Sequence, residues 1–430
     1  MIQECTTTRL DDGFHIYLTL KKQELFCTCG SAFPLRFKEY YTKSIVHNLF
    51  MDTKTIIHYR ARRYQCLACR KTIYEQNPFC ALYQKRSYSL ANSVITKLMK
   101  PENTFSSVAF ELNISVTSVV NIFDQLVDNT RLVLPEVLCI DEIYYSRHAS
   151  YKYCCVFVDW TTRKLVEIFE SRHKYRMIQA LDALSEAERN KVKVVCIDMY
   201  DTYKQLVKRR FRNAVICIDR FHIIKLFNDK LNEVRLKVMK LFDVKSNEYY
   251  VLKKFKFLLF KNKGIDINHP SKFNRKLNGY YNYYRLLDYM LSINKELEKA
   301  YQLKRSFQKF LNDTTKEREA LESRLFELIK QIKQSNIEEI RPIAATLEKW
   351  WEEILNSFLI IEGRQISNGP IESVNRILKK IKNNANGFRN FQRFRARAFL
   401  VINKKFSLKQ KGNEHLIARK SPKRGPYKKR

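Results

Sequence analysis

Val137-Leu138-Cys139-Ile140-Asp141, Val194-Val195-Cys196-Ile197-Asp198 and Val215-Ile216-Cys217-Ile218-Asp219 are one pattern written three times. A run of apolar, mostly β-branched residues without polar alternation predicts a strand buried on both faces, and an aspartate directly after it falls at the carboxyl edge of a sheet. That edge is where open α/β sheets hold their ligands. One such aspartate reads equally well as the cap of the next helix. Three in one region argue for a site.

The flanking sequence extends the pattern. Val137 to Tyr144, Tyr153 to Trp160 and Lys164 to Glu170 read as three strands, and their short links predict antiparallel hairpins. A helix from Lys174 to Glu188 leads to a fourth strand, Val192 to Asp198. A short helix then leads to a fifth, Ala214 to Asp219, and a longer helix follows from Phe221. Three antiparallel strands followed by two reached through helices is the order of a ribonuclease H-like α/β fold. Strands one and four are neighbours there, so Asp141 and Asp198 are expected to face each other. Asp219 and His222, three residues apart just past strand five, are positioned either to orient a phosphate and replace Asp198 as a ligand, or simply to cap and pack the next helix.

Upstream, residues 1–85 carry Cys27-Thr28-Cys29 and Cys66-Leu67-Ala68-Cys69, two cysteine pairs that together supply four thiolates to a tetrahedral zinc, as in a ribbon-type module. The first pair is one residue shorter than the usual knuckle, and His58 and Cys80 are alternative ligands. The remaining cysteines, among them Cys139, Cys154, Cys155, Cys196 and Cys217, read as buried thiols rather than disulfides. Thr55 to Arg62 alternates as a strand with basic side chains, and Arg62 and Arg63 are candidate phosphate contacts. Residues 86–132 turn helical, and Phe105–Leu112 and Val116–Phe123 around a tight turn outline a helix-turn-helix.

Downstream of the first part of the core, 133–240, strand signals stop. Residues 241–360 read as a helical insertion. Its Tyr280-Tyr281-Asn282-Tyr283-Tyr284 cluster and its Trp350-Trp351 pair are expected to be core or solvated helix face rather than platforms for bases. Residues 361–405 bring a last helix, opened by Asn368-Gly369-Pro370, whose one face carries Glu372, Asn375, Lys379 and Lys382. From Ser373 onward Glu414 is the one carboxylate. The stretch Gly387 to Arg397 interleaves aromatics with Arg389, Arg393, Arg395 and Arg397, which suits a phosphate backbone and unstacked bases. Residues 406–430 form a basic tail expected to be disordered and to adhere to nucleic acid.

Charge points to the partner. Eighty Lys plus Arg against 44 Asp plus Glu in 430 residues give +36, a field that attracts a polyanion and releases its counterions. No stretch approaches the roughly 18 apolar residues of a membrane span, and Glu4, Asp11 and Asp12 break any signal-peptide pattern. The expectation is a cytoplasmic, nucleoid-associated protein with no membrane partner.

Cys139-Ile140-Asp141-Glu142, Asp198 to Tyr203, Asp219 to Lys225, Ser367 to Asn375 and Gly387 to Phe391 resemble the motifs of the ISL3 family of bacterial insertion-sequence transposases, over nearly the whole chain. The resemblance implies a DDE transposase with Asp141, Asp198 and Glu372 as catalytic acids and Asp219 and His222 as accessories. Two Mg²⁺ or Mn²⁺ ions would sit on the acids, with structural Zn²⁺ on Cys27, Cys29, Cys66 and Cys69. Its partners would be double-stranded terminal inverted repeats and target DNA, engaged by a homo-oligomer. Two other readings fit the charge: a DNA-binding regulator with a non-catalytic core, and a structure-specific nuclease.

Overall fold

The computed structural model describes residues 2–30, 35–81, 84–146, 149–262, 264–313 and 317–407. The basic tail expected at 406–430 lies almost wholly outside the described residues. The chain divides into two compact units. One comprises Met1–Leu132, Ile143–Lys152 and Val374–Arg430, the other Val133–Glu142 and Tyr153–Ser373.

The first unit opens with a five-stranded sheet. Its strands are β1 (Ile2–Leu10), β2 (Gly13–Leu20), β3 (Leu35–Phe50), β4 (Thr53–Cys66) and β5 (Thr72–Tyr74), in the order β1-β2-β4-β3 with β5 on β4. The Thr55–Arg62 alternation is real: Ile57, Tyr59 and Ala61 of β4 point into a core with Leu18, Leu20 and Ile45. Gly13 allows the β2 start to press on β4, because a Cβ there would collide with the Lys54 carbonyl. Three helices follow, α1 (Tyr88–Leu98), α2 (Phe105–Glu111) and α3 (Val116–Leu126). Ser87, Thr104 and Ser115 cap them, Thr104 and Ser107 reciprocally. Asn113, at φ 49°, turns the chain between α2 and α3, which meet at a bend of 114°.

In the second unit β6 (Val137–Tyr144), β7 (Tyr153–Asp159) and β8 (Leu165–Phe169) precede α4 (Lys174–Asp182) and α5 (Glu186–Asn190). The helix expected over 174–188 breaks because the Ser185 side chain accepts the Glu188 N–H and starts a new one. Then come β9 (Val194–Ile197), α6 (Asp201–Arg210), β10 (Val215–Ile218) and the 20-residue α7 (Arg220–Met239). The sheet order is β10-β9-β6-β7-β8, with β9 parallel to both its neighbours and β7 antiparallel to β8. Cys139, Cys154, Cys155, Cys196 and Cys217 are free thiols buried in this sheet, as expected.

The insertion is mostly helical: α8 (Asn247–Lys254), α9 (Phe257–Phe260), a hairpin of β11 (Lys272–Asn274) and β12 (Gly279–Tyr281), α10 (Tyr283–Ser292), α11 (Lys295–Leu311), α12 (Arg318–Gln334), α13 (Arg341–Lys349) and α14 (Trp351–Asn356). Trp350 is buried, with Lys204 Nζ 4.7 Å from its ring. A short β13 (Ile360–Ile361) and β14 (Arg364–Gln365) precede α15 (Gly369–Asn384) and α16 (Phe391–Asn403). Residues 361–405 are expected to be the last part of the core, and up to Ser373 they lie in the second unit. From Val374 onward, however, the chain joins the first unit, where Ala396 and Leu400 of α16 are buried with Leu90, Val94 and Phe123. No single helix among the described residues is long and apolar enough to cross a membrane.

Candidate active site

Strand register builds the site. Ile140 of β6 pairs with Ile197 of β9, and Ile197 with Ile218 of β10. The next residue on each strand is therefore an aspartate, and Asp141, Asp198 and Asp219 emerge in a row across three adjacent strands, which lie about 4.8 Å apart in any sheet.

Local structure then fixes their surroundings. Asp219 caps α7, accepting the Phe221 N–H, and one turn later α7 presents His222. The imidazole spans two carboxylates: Nε2 lies 3.1 Å from Asp198 Oδ2 and Nδ1 lies 3.2 Å from Asp219 Oδ2. The second contact is an ion-pair distance rather than an aligned hydrogen bond. Thus Asp219 is both the cap and a member of the cluster. Asp198, Asp219 and His222 offer three ligand atoms within 4.8 Å of one another.

Asp198 has a further partner. Asn368, buried just before α15, donates from Nδ2 to Asp198 Oδ1 at 2.8 Å. Its backbone carbonyl accepts the Glu372 N–H at 2.9 Å, so Glu372 sits one turn beyond the residue that touches Asp198, with its side chain exposed. Asp141 accepts the Glu142 N–H at 2.7 Å. Neither Asp141 nor Glu372 belongs to the group of donors within 4.8 Å.

The electrostatics follow from crowding carboxylates in a half-dry place. Burial, then repulsion from Asp198, pushes Asp141 up to about 7. Asp198 is pushed up to about 6, again chiefly by burial, although His222 pulls the other way. Burial works against a charged His222, but the Asp219 contact and the field of Asp198 outweigh it and hold its pKa above the usual value. Glu142, which the sequence reading left without a role, is clamped by Arg172 and by Tyr203 Oη at 2.8 Å. Its carboxylate lines an open pocket of about 330 Å³ with Asp198, His222, Lys225 and Asp229. Asn368, Tyr203 and Arg172 also went unnoticed. Asn368 left a trace in sequence as the polar residue before Gly369-Pro370, and Tyr203 as the end of the Asp198 to Tyr203 motif.

The four cysteines also converge. Cys27 Sγ is 3.4 Å from Cys69 Sγ, Cys29 Sγ is 3.7 Å from Cys66 Sγ, and all four sulfurs lie within 4.8 Å of one another. The short Cys27–Cys29 spacing does not prevent this. The Cys69 and Ala68 N–H groups are among those that favour the Cys66 thiolate, lowering it to about 6. The alternative ligands are engaged elsewhere. His58 lies between His15 and Ser44, and the Cys80 thiol donates to the Gln84 carbonyl.

The candidate DNA-contacting cations divide by burial. Lys379 and Arg389 are exposed. Arg63 is half-exposed beside Glu39 and over the Tyr41 ring. Lys382 donates to the Tyr144 carbonyl, Arg393 pairs with Asp124, and Arg395 donates to the Asn129 carbonyl. Two of the candidates are buried. Arg62 is buried against Glu75 and also bonds the Leu20 carbonyl and Gln3. Arg397 is buried, donates to the Lys100 and Asn103 carbonyls, and is pushed down to about 10 by burial. Both guanidiniums are buried away from solvent. Phe391 and Phe394 are likewise buried and unavailable to bases.

A family profile of DDE type, described as a transposase, matches residues 138–398. The chain is also 22% identical over 390 residues to the transposase for insertion sequence element IS1001 of Bordetella parapertussis, an alignment covering 88% of this chain and 89% of that protein.

Proposed function

The chain belongs to the ISL3 family of DDE transposases, enzymes that cleave and transfer DNA strands, and from that premise we propose that Asp141, Asp198 and Glu372 are its catalytic carboxylates. The observation that carries this reading is the register: three paired isoleucines put Asp141, Asp198 and Asp219 in one row, and Asn368 ties the start of the Glu372 helix to the middle of it. The sheet order β10-β9-β6-β7-β8 supports a ribonuclease H-like core.

Hard oxygen donors such as Asp141 and Asp198, whose ionisation is disfavoured by burial and neighbouring carboxylates, fit divalent cations. Asp141, Asp198 and Glu372 would hold two Mg²⁺ or Mn²⁺ ions, with Asp219 and His222 beside them. When bound, such ions activate a water or hydroxyl and stabilise the leaving oxygen of a phosphodiester. The chain's own groups do the rest. Asn368 and His222 fix both oxygens of Asp198, Arg172 and Tyr203 keep Glu142 out of the row, and exposed Lys225 offers a cation to a phosphate at the pocket mouth.

The same reading extends to binding. Zn²⁺ on Cys27, Cys29, Cys66 and Cys69 would staple the N-terminal sheet, since sulfurs 3.4–3.7 Å apart approach the roughly 3.8 Å edge of a tetrahedron with 2.3 Å Zn–S bonds. Helices α2 and α3 serve as a helix-turn-helix. α3 leaves Thr117, Asn121 and Gln125 exposed for base edges, and its first turn borders a pocket with Lys54, Lys85 and Arg86. Residues 1–132 then bind terminal inverted repeats. Lys379, Arg389 and Arg63 add phosphate contacts, and the active form is a homo-oligomer on DNA, associated with the nucleoid.

The test is incubation with DNA carrying the flanking repeats and Mg²⁺ or Mn²⁺, with nicks mapped on both strands and joined products counted. The parent is expected to cut at the repeat ends and join the freed 3′ hydroxyls. Asp141→Asn, Asp198→Asn and Glu372→Gln should each lose roughly 10²- to 10³-fold in rate, the cost of removing one electrostatic contact to a transition state, while still binding. Variants that cut like the parent would make the assignment wrong. A parent that binds without cutting is a regulator, and one that cuts without joining is a nuclease.

A further inference from the structure

We propose that the helical insertion carries a pocket for a single unpaired DNA base with its flanking phosphates, between the β11–β12 hairpin and helices α8 and α10. The inference builds on the transposase reading, which puts DNA within reach of this unit.

The pocket encloses about 490 Å³, inside the range that holds small organic ligands. Its walls are of two kinds. Rings come from Tyr250, Phe255, Phe273, Tyr281 and Tyr283. Charge comes from Lys254, Lys272, Arg275 and Lys276, with His269 beside them, and no carboxylate lines it. Among the described residues no salt bridge involves any of those four cations. In a chain whose other lysines and arginines repeatedly pair with Asp or Glu, four unneutralised cations around one cavity suit a polyanion.

The rings distinguish which part of a polyanion enters. The tyrosine cluster was expected to be core or solvated helix face; Phe273 of the hairpin is 52% exposed, and Tyr280, outside the pocket lining, packs edge to face against it at 5.3 Å. On the other wall Tyr283 is held upright, with Phe257 edge-on at 5.5 Å and His269 at 5.0 Å. Lys261 lies 5.0 Å from the Tyr283 ring centre. Rigid aromatic faces flanked by cations stack on bases that have left the helix, because a duplex offers such a pocket only its phosphates. Gly279 lets the Tyr281 ring lie close against the hairpin backbone: a Cβ there would come within 3.1 Å of it. Stacking is indifferent to base identity, so the pocket should prefer single-stranded over paired DNA without reading sequence.

The experiment uses the full chain and a short oligodeoxythymidylate carrying 5-iododeoxyuridine, at salt high enough to suppress nonspecific phosphate binding. Photocrosslinks are expected on the peptide spanning Phe273 to Tyr284. Phe273→Ala and Arg275→Ala, both at exposed positions, should each weaken single-strand affinity roughly tenfold and leave affinity for blunt duplex within about twofold. Crosslinks confined to other segments, or duplex affinity falling as much as single-strand affinity, would overturn the pocket. So would variants that change only self-association, which would make this face an interface between copies. Cleavage by the parent is measured on the same preparation. A parent that crosslinks but does not cut sinks the transposase reading alone, and one that cuts without crosslinking here sinks the pocket alone.

Discussion

The four-sulfur cluster and the carboxylate row are both suited to cations, and they are assembled by opposite means. The sulfurs come from two tight local pairs, Cys27 with Cys29 and Cys66 with Cys69, each shaped by its own turn, and their mutual distances of 3.4 and 3.7 Å already resemble a filled site. The carboxylates come from three strands aligned by register and a helix more than a hundred residues further on, held by His222 and Asn368 rather than by one another. A site made of local pairs is specified by spacing. A site made of register is specified only once the whole sheet exists. The first should therefore be part of the fold, and the second should be a load that the fold carries.

Removing cations tests that contrast most severely. A zinc-selective chelator, or Cys66→Ala, is expected to unfold the N-terminal sheet, because structural zinc contributes about 10 kcal/mol to the folding of small modules. Elemental analysis should find one zinc per chain in the parent and none in the variant, with circular dichroism reporting the lost strands. Stripping Mg²⁺ or Mn²⁺ should instead stop cleavage and leave the spectrum unchanged. Equal structural damage in the two experiments would erase the distinction.

The next effect lies in the sheet that carries the cysteines. Arg62 Nη1 and Glu75 Oε1 pair at 2.9 Å with the carboxylate wholly buried. Glu75→Gln should cost about 3–5 kcal/mol by leaving a buried guanidinium unpaired, read as a lower midpoint in denaturant. Arg63→Ala, at the half-exposed neighbour, should barely move stability and should instead flatten the salt dependence of DNA binding. If Arg62 and Arg63 behave alike, burial is a poor guide to which arginine serves the fold.

That pair also shows what sequence could reveal. The strand boundaries of the second unit were legible because unbroken apolar runs such as Val194 to Ile197 admit no other reading, and the acids were legible as the residues that end those runs. Arg62 and Arg63 are indistinguishable by composition. Period-two alternation carried on from buried Tyr59 and Ala61 would bury Arg63 and expose Arg62, the reverse of what is found, and a register shift between Phe37 and Glu39 on the neighbouring strand lies where the phase changes. Arg397 was hidden among the arginines after Gly387 for a similar reason. A helix that interleaves aromatics with cations has one face to bury, and Phe394 and Arg397 lie on it. Asn368 was hidden because its importance comes from a partner 170 residues away.

The smallest effect is the most specific to the carboxylate row. Asp141 and Asp198 have folded-state pKa values raised to about 7 and about 6, so ionising them costs the fold. In metal-free protein that cost is absent below the ordinary carboxylate range and grows as pH rises from about 4 through 7. His222, with its pKa held above the usual value, acts in the same direction. Its protonated form stabilises the fold below about 6.5, and that contribution fades as pH climbs through its raised folded value. Three groups thus predict that, with chelator present, thermal stability of the second unit declines between about pH 5 and 8. Asp141→Asn should flatten the decline, and Mg²⁺ or Mn²⁺ should reverse it most at the alkaline end, where the carboxylates are ionised and want a counterion. The cysteine cluster gives the opposite slope, because protons compete with zinc for thiolates and its stability should fall as pH drops. Melting curves across pH, with and without each metal, therefore separate the two sites by the sign of their slopes. Two slopes of the same sign would mean that the carboxylate row is not carrying unpaired charge.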